Sequence, residues 1–324
     1  MKKIALKVLF VGLGIVASGA GPACAQKPYP SQPVKLVVSF PAGSTVDLIA
    51  RVIADSLNRR WGTPVIVENV AGAAGQIGTG RVARAQPDGY TLLVSPPAQL
   101  VTHHALYKAL PYDPRQFVPI TVVAQAPHVL SVRKDFVASF SDFIKYGKAN
   151  PGKLTYASQG IGSTTHLTTT LFARRAGLDM LHVPYRGTAS ALTDLISGNV
   201  DAMFDNVGTS LALHREGLIR ILATATTQRL TALPDIPTIS ESGFPDFRSI
   251  TWYALVAPRT TPASIIEKIN HDVVAILQNP DVRQKFEDLS LQTAGGTPDQ
   301  TAQFFQEETK VWSEVIKDAN VQAQ

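Results

Sequence analysis

The stretch Val34-Lys35-Leu36-Val37-Val38-Ser39-Phe40-Pro41-Ala42-Gly43-Ser44-Thr45-Val46-Asp47 decides the fold. Val34 to Phe40 is an apolar, β-rich run, and the residues after it are Pro, Gly and small hydroxyl residues. An apolar stripe at Leu48, Ile49, Val52, Ile53 and Leu57 then follows at helical spacing to about Arg60. A strand that turns a tight corner into a helix leaves the first helical N–H groups unpaired and aims them above the strand end. Such a corner is an anion cradle. A second one runs from the strand Leu154–Ala157 through Ser158-Gln159-Gly160-Ile161-Gly162-Ser163-Thr164-Thr165-His166-Leu167. Two cradles far apart, in a chain with no recognisable catalytic set, point to a protein that grips an acid between two lobes without transforming it.

Outward from these corners, short β-branched runs alternate with helical patterns, the signature of a mainly parallel α/β sheet. Val65–Val67 and Tyr90–Val94 read as strands, with Gly75–Ala85 as a helix and Pro87-Asp88-Gly89 as a turn between them. Ser95, at the end of the Tyr90 strand, joins the candidate ligand residues. Ile120–Val132 reads as an extended crossing into a second set: helices at Ser141–Asn150, Ser163–Ala176 and Ala189–Ser197, strands at Leu181–Pro184, Val200–Phe204 and Ile219–Ala225, and a helix from about Gly208. Ile250–Ala257 reads as a crossing back, followed by helices near Pro262–Gln278, Pro280–Leu289 and Pro298–Lys317. Two crossings around one α/β set imply a discontinuous first lobe, residues 26–125 plus 253–324, and a second lobe, residues 126–252. The cleft is expected beyond the carboxyl ends of the strands of both, with hinges near Ala124–Pro127 and Ser249–Tyr253.

The chain starts with the marks of a secretory leader: Lys2, Lys3 and Lys7, an apolar stretch from Val8 to Val16, and Ala23-Cys24-Ala25 before Gln26. Cleavage after Ala25 is expected to leave a periplasmic chain of 299 residues and to remove the only cysteine, and with it any disulfide or thiolate chemistry. It also lowers the formal charge from +5 to +2, which gives little support for nucleic-acid binding. The seven histidines include no H-E-x-x-H pair, no G-x-S-x-G elbow occurs, and Thr165 stands where a dinucleotide loop needs its third glycine. No cofactor and no metal are expected.

Phe40, Pro41, Ala42, Gly43, Ser44 and Thr45 in one lobe, and Gly160, Gly162, Ser163 and Thr164 in the other, are the candidate ligand residues. For the serines and threonines the competing role is helix N-capping. His166, one helical turn past Gly162, either supports the second corner or touches ligand. Asp205, after Met203-Phe204, is a candidate for the cleft wall, whereas Asp47 reads as a structural carboxylate. Arg186 either pairs with a ligand carboxylate or forms a structural salt bridge.

Taken together, Leu36–Asp47, Gln86–Leu93, Thr155–Leu167, His182–Gly187, Asp194-Leu195 with Gly198–Asp201, and Pro234–Gly243 resemble the periplasmic solute-binding subunits of tripartite tricarboxylate transporters, the Bug proteins. The resemblance covers essentially the chain after the leader. It implies a two-lobed periplasmic binding protein fold of type II-like α/β architecture. It also implies capture of a small organic acid by Pro41–Thr45 and Gly160–Thr164, and delivery to a large and a small membrane subunit. Ser44 stands where that family usually has a second glycine, and Thr170 where an acidic residue commonly follows the His-Leu pair. An exported α/β enzyme acting on an organic acid, or a receptor feeding a signalling system, are the alternative readings.

Overall fold

The computed structural model describes residues 28–185, 187–318 and 321–322. The leader, its cleavage point and Arg186 lie outside the described residues.

The first half-sheet is built from β1 (Val34–Val38), α1 (Thr45–Trp61), β2 (Val65–Asn69), α2 (Gln76–Ala83) and β3 (Thr91–Ser95), followed by the short helix α3 (His103–Leu106). The chain then crosses on β4 (Phe117–Arg133) into α4 (Phe140–Ala149), β5 (Leu154–Ser158), α5 (Thr164–Ala176), β6 (Met180–Pro184), α6 (Thr188–Ser197), β7 (Ala202–Asn206), α7 (Val207–Arg215) and β8 (Ile219–Thr224). It returns on β9 (Ile250–Pro258) and ends in α8 (Ala263–Leu277), α9 (Pro280–Asp288), β10 (Gln292–Gly295) and α10 (Pro298–Asp318).

The strand order is β2-β1-β3-β9-β4-β7-β5-β6, with β10 and β8 also on β4. Parallel pairs form two blocks, β2-β1-β3 and β6-β5-β7, and every pairing made by the crossing strands is antiparallel. The sheet is therefore mixed. The parallel blocks are covered on both faces, the arrangement that makes such strands near-continuous apolar runs. Leu36 and Val38 of β1 pack with α1 and α8 on one side, while Val37 packs with Val82, Trp252 and Trp312 on the other. A separate core behind β5 and β7 holds Phe140, Phe143, Phe172, Phe204 and Phe247. β4 belongs to both halves: residues 117–127 pair with β9, and residues 128–133 pair with β7 and β8, with register shifts that break the regular ladder.

Most elements fall within one or two residues of their sequence expectations. The strand expected at Val200–Phe204 instead spans Ala202–Asn206, because Asp201 anchors the turn before it. Its carboxylate accepts from Thr155 N–H (3.0 Å), Thr155 Oγ1 (2.9 Å) and Arg133 Nε (3.2 Å). The helix expected from Gly75 begins at Gln76, since Gly75 has φ +86° and closes a preceding turn. β10 and the helical turns between Ala98 and Leu106 carry no periodic signal and were not expected.

Candidate functional site

A cavity of about 320 Å³ lies where the carboxyl ends of β1, β3, β5 and β7 meet, with Thr251 and Tyr253 of β9 also on its wall. Phe40, Ser44 and Thr45 of the first corner and Gly162, Ser163 and Thr164 of the second all line it.

The first corner is pinned from behind. Asp47, almost fully buried, accepts from Gly43 N–H (2.8 Å), Arg51 Nε (2.9 Å) and Asn69 Nδ2 (2.9 Å), and the same Asn69 amide donates to Phe40 O (3.1 Å). Burial opposes its ionisation, but the bonds from Arg51, Gly43 and Asn69 outweigh that and hold its carboxyl below the usual range. Gly43 sits at φ +82°, a conformation that favours glycine. Ser44 occupies the N-cap position of α1 without capping it. Its Oγ is buried and has no partner among the described residues. The backbone N–H groups of Thr45, Val46 and Asp47 likewise find no acceptor among them.

The second corner is tied up internally. Ser163 Oγ donates to Gly160 O (2.7 Å) and accepts from His166 N–H (3.2 Å), so here the serine does cap its helix. Gly162 N–H donates to His166 Nδ1 (3.1 Å), Gln159 N–H to Thr165 Oγ1 (3.0 Å) and Gly160 N–H to Ser158 Oγ (3.1 Å). The His166 ring stacks on His182 at 4.1 Å, and His182 stacks on Tyr156 at 4.8 Å. Burial, with the neighbouring His182, brings His166 down to about 4, and burial does the same to His182. Thr164 and Thr165 keep free N–H groups among the described residues.

Several candidates stand off the cavity. Pro41, Ala42 and Gly43 are exposed beside it, on the solvent side of the first loop. Ser95 is fully buried at the end of β3, where Pro96 O (3.1 Å) and Gln99 Oε1 (3.2 Å) are both in reach of its one hydroxyl proton. Gly160 supplies the carbonyl that Ser163 holds, and His166 lies beneath the loop as its acceptor. Asp205 is wholly buried behind the wall, bonded by Thr209, Ser210 (3.4 Å) and Gln159 (3.4 Å), and burial pushes its carboxyl up to about 6. Its neighbour Asn206 lines the cavity instead, because successive strand residues point to opposite faces. Gly162 has φ +77°, and a Cβ there would come within 2.7 Å of Leu106 Cδ1, so close contact between the halves fills that space.

The sequence reading missed Gln99, His103, Leu106 and Tyr107 from the irregular segment after β3, and Tyr253 from β9. Alternation along β9 would have placed Thr251 and Tyr253 on one face, but nothing local said which face met the cleft. Among the described residues the lining holds no Lys, Arg, Asp or Glu. His103 is brought down to about 4 by burial and is neutral, and burial pushes the Tyr253 phenol up to about 12. An anion here is met by N–H and O–H dipoles.

Two α/β halves joined by crossing strands, with facing helix N-termini at one cavity, define a two-lobed periplasmic binding protein. The chain belongs to the tripartite tricarboxylate transporter family of receptors, whose pattern matches residues 49–321. Three solved structures resemble it over nearly their whole length. An adipate-bound protein of R. palustris is 35% identical, with TM-score 0.80, over 91% of this chain and 99% of that one. The periplasmic binding protein BugD is 35% identical, with TM-score 0.76, over 91% and 100%. MatC of Rhodopseudomonas palustris, solved with malate, is 34% identical, with TM-score 0.75, over 89% and 100%. The family is one of receptors and BugD is a periplasmic binding protein, so this chain is a receptor and not an enzyme.

Proposed function

We propose that this chain is exported, loses its leader after Ala25, and captures a small di-, tri- or aromatic carboxylate between lobes 26–125 plus 253–324 and 126–252. The large and small membrane subunits of a tripartite transporter would then receive the acid. The observation that carries this reading is the convergence of Ser44–Thr45 and Gly162–Thr164 on one cavity free of ionised side chains among the described residues. One helix terminus contributes only about 0.3–1 kcal/mol to an anion, whereas micromolar affinity needs about −8.2 kcal/mol. Charge-assisted hydrogen bonds of about 1.5–3 kcal/mol each, with water excluded as the lobes close, supply the rest. The adipate and malate found in relatives of similar length support a carboxylate ligand.

Native mass spectrometry of freshly purified protein, followed by calorimetry with adipate, malate, citrate and benzoate, tests the reading. Micromolar or tighter binding of at least one acid is expected. Failure of all of them, with no small acid co-purifying, would sink it. The intact mass of the periplasmic form should begin at Gln26, and small-angle scattering should show a smaller radius of gyration at saturation. Cross-linking in membranes carrying the cognate subunits should capture the large subunit only when the receptor is loaded.

A further inference from the structure

The cleft has hydrogen-bond acceptors as well as donors, and a bare carboxylate has no use for them. His103 shows this most clearly. Tyr112 has a single hydroxyl proton, which it donates to Gln99 O (3.0 Å). The contact between Tyr112 Oη and His103 Nδ1 (3.2 Å) must then have Nδ1–H as its donor. The buried ring is neutral, so its one proton is on Nδ1 and Nε2 is left as an acceptor. His103 lines the cavity, and no group among the described residues bonds to Nε2.

The opposite wall matches it. Gln159 commits its Nε2 to Thr188 Oγ1 (2.8 Å) and Asp205 (3.4 Å), which turns its Oε1 into the uncommitted end. Asn206 Oδ1 is buried with no partner among the described residues. His103, Gln159 and Asn206, which carry these acceptors, thus line from two walls a cavity that also holds the two donor corners. A ligand that brought only carboxylate oxygens would satisfy the corners and leave these acceptors unmet.

We infer that the preferred ligand is a carboxylate that also carries a hydroxyl group, and that His103 is the specificity-determining residue accepting the hydroxyl proton at Nε2. The inference rests on the carboxylate-receptor reading above. A hydroxyl is favoured over an ammonium group because no carboxylate side chain lines the cavity among the described residues, and an ammonium leaving water without a counter-charge is heavily penalised. Tyr112 is a positioning residue: it fixes the tautomer and lies behind the ring.

Calorimetry with matched probes tests this: succinate against L-malate, D-malate and L-aspartate, and benzoate against 3- and 4-hydroxybenzoate. In at least one set the hydroxylated acid should bind about tenfold or more tightly than its parent. His103→Phe should bring that ratio to within about twofold, the hydroxylated acid losing more affinity than its parent. Tyr112→Phe removes the acceptor from Nδ1, lets the proton move to Nε2 and should also lower the ratio. Nitrogen-15 imidazole shifts should report the Nδ1–H tautomer in the parent protein and its loss in Tyr112→Phe, a readout that a purely structural role for Tyr112 would not move. Retention of the ratio in a folded His103→Phe protein, aspartate as the tightest ligand, or an Nε2–H tautomer in the parent would each overturn the inference. Acids that bind without any hydroxyl preference would defeat it alone, whereas no acid binding at all would defeat the receptor reading beneath it.

Discussion

The two corners share a sequence grammar but differ in where their hydrogen bonds go. In the first, a carboxylate behind the loop does the fastening, so Ser44 Oγ and three helical N–H groups stay free among the described residues. In the second, the loop fastens itself: Ser163 caps α5 and Gly162 N–H is given to His166. A serine at an N-cap position is thus no evidence of capping, and a glycine-rich loop is no evidence of free donors. What matters is whether another group has already taken up the fastening.

Gly162→Leu would break the comparison most severely. It forces a side chain into φ +77° and against Leu106, so affinity for the cognate acid should fall more than about a hundredfold, with folding checked by circular dichroism. Pairing Gly162→Ala with Leu106→Ala should restore part of what Gly162→Ala alone loses. An undiminished affinity in folded Gly162→Leu would mean the second corner is not at the ligand.

Acid separates the corners by the chemistry of their fastenings. The neutral His166 ring sits at about 4, below the 6.5 of an ordinary imidazole, so the stability it contributes is complete above pH 6.5 and is lost as pH falls toward 4. His103 and His182, at about 4, His128, at about 3, and His104, also lowered by burial, act in the same direction. Asp205 opposes them, since a carboxyl raised from 3.8 to about 6 gains stability as pH falls through that window. Five groups against one should make the melting temperature drop between pH 6.5 and 4. Asp47, lowered from 3.8, holds the first corner until still lower pH. Hydrogen exchange near pH 4 should therefore show the bonded amides of Gly160, Gly162 and His166 losing protection before those of Gly43, Ser44 and Leu48, and the reverse order would refute the assignment of fastenings.

The serines sharpen the contrast. Ser44→Ala should leave the melting temperature unchanged and weaken acid binding by about 0.5–3 kcal/mol, whereas Ser163→Ala should cost about 1 kcal/mol of stability through its lost cap. Calorimetry and thermal melts on both variants measure the two effects, and equal losses of stability would erase the distinction. Gly43→Ala should likewise cost stability. The site has open space and only the left-handed backbone to oppose a side chain, so about 1–2 kcal/mol of stability is at stake.

The strands, helices and corners were legible because burial on two faces and glycine at strand ends leave local marks. Asp201 and Asp205 show where legibility stops. Asp201 immediately precedes β7 and Asp205 lies within it, and only the partners Thr155 and Arg133 of the one and Thr209 and Gln159 of the other explain why one starts the strand late and the other hides behind the wall. His103 and Gln99 belong to a segment that follows neither helix nor strand period, so no pattern marked them. Asn206 was missed by one position, the smallest error that moves a side chain to the other face of a strand.

The long return through β9 also sets the order of assembly. Leu93 and Val94 of β3 find their neighbours Val256 and Leu255 only after about half the chain has intervened, and Trp61 and Arg60 wait for Asp272 on α8. Contacts so distant along the chain slow the search for the native state. The first elements to be synthesised are among the last to be completed, and the amino-terminal block cannot close its sheet edge until the return strand has been made.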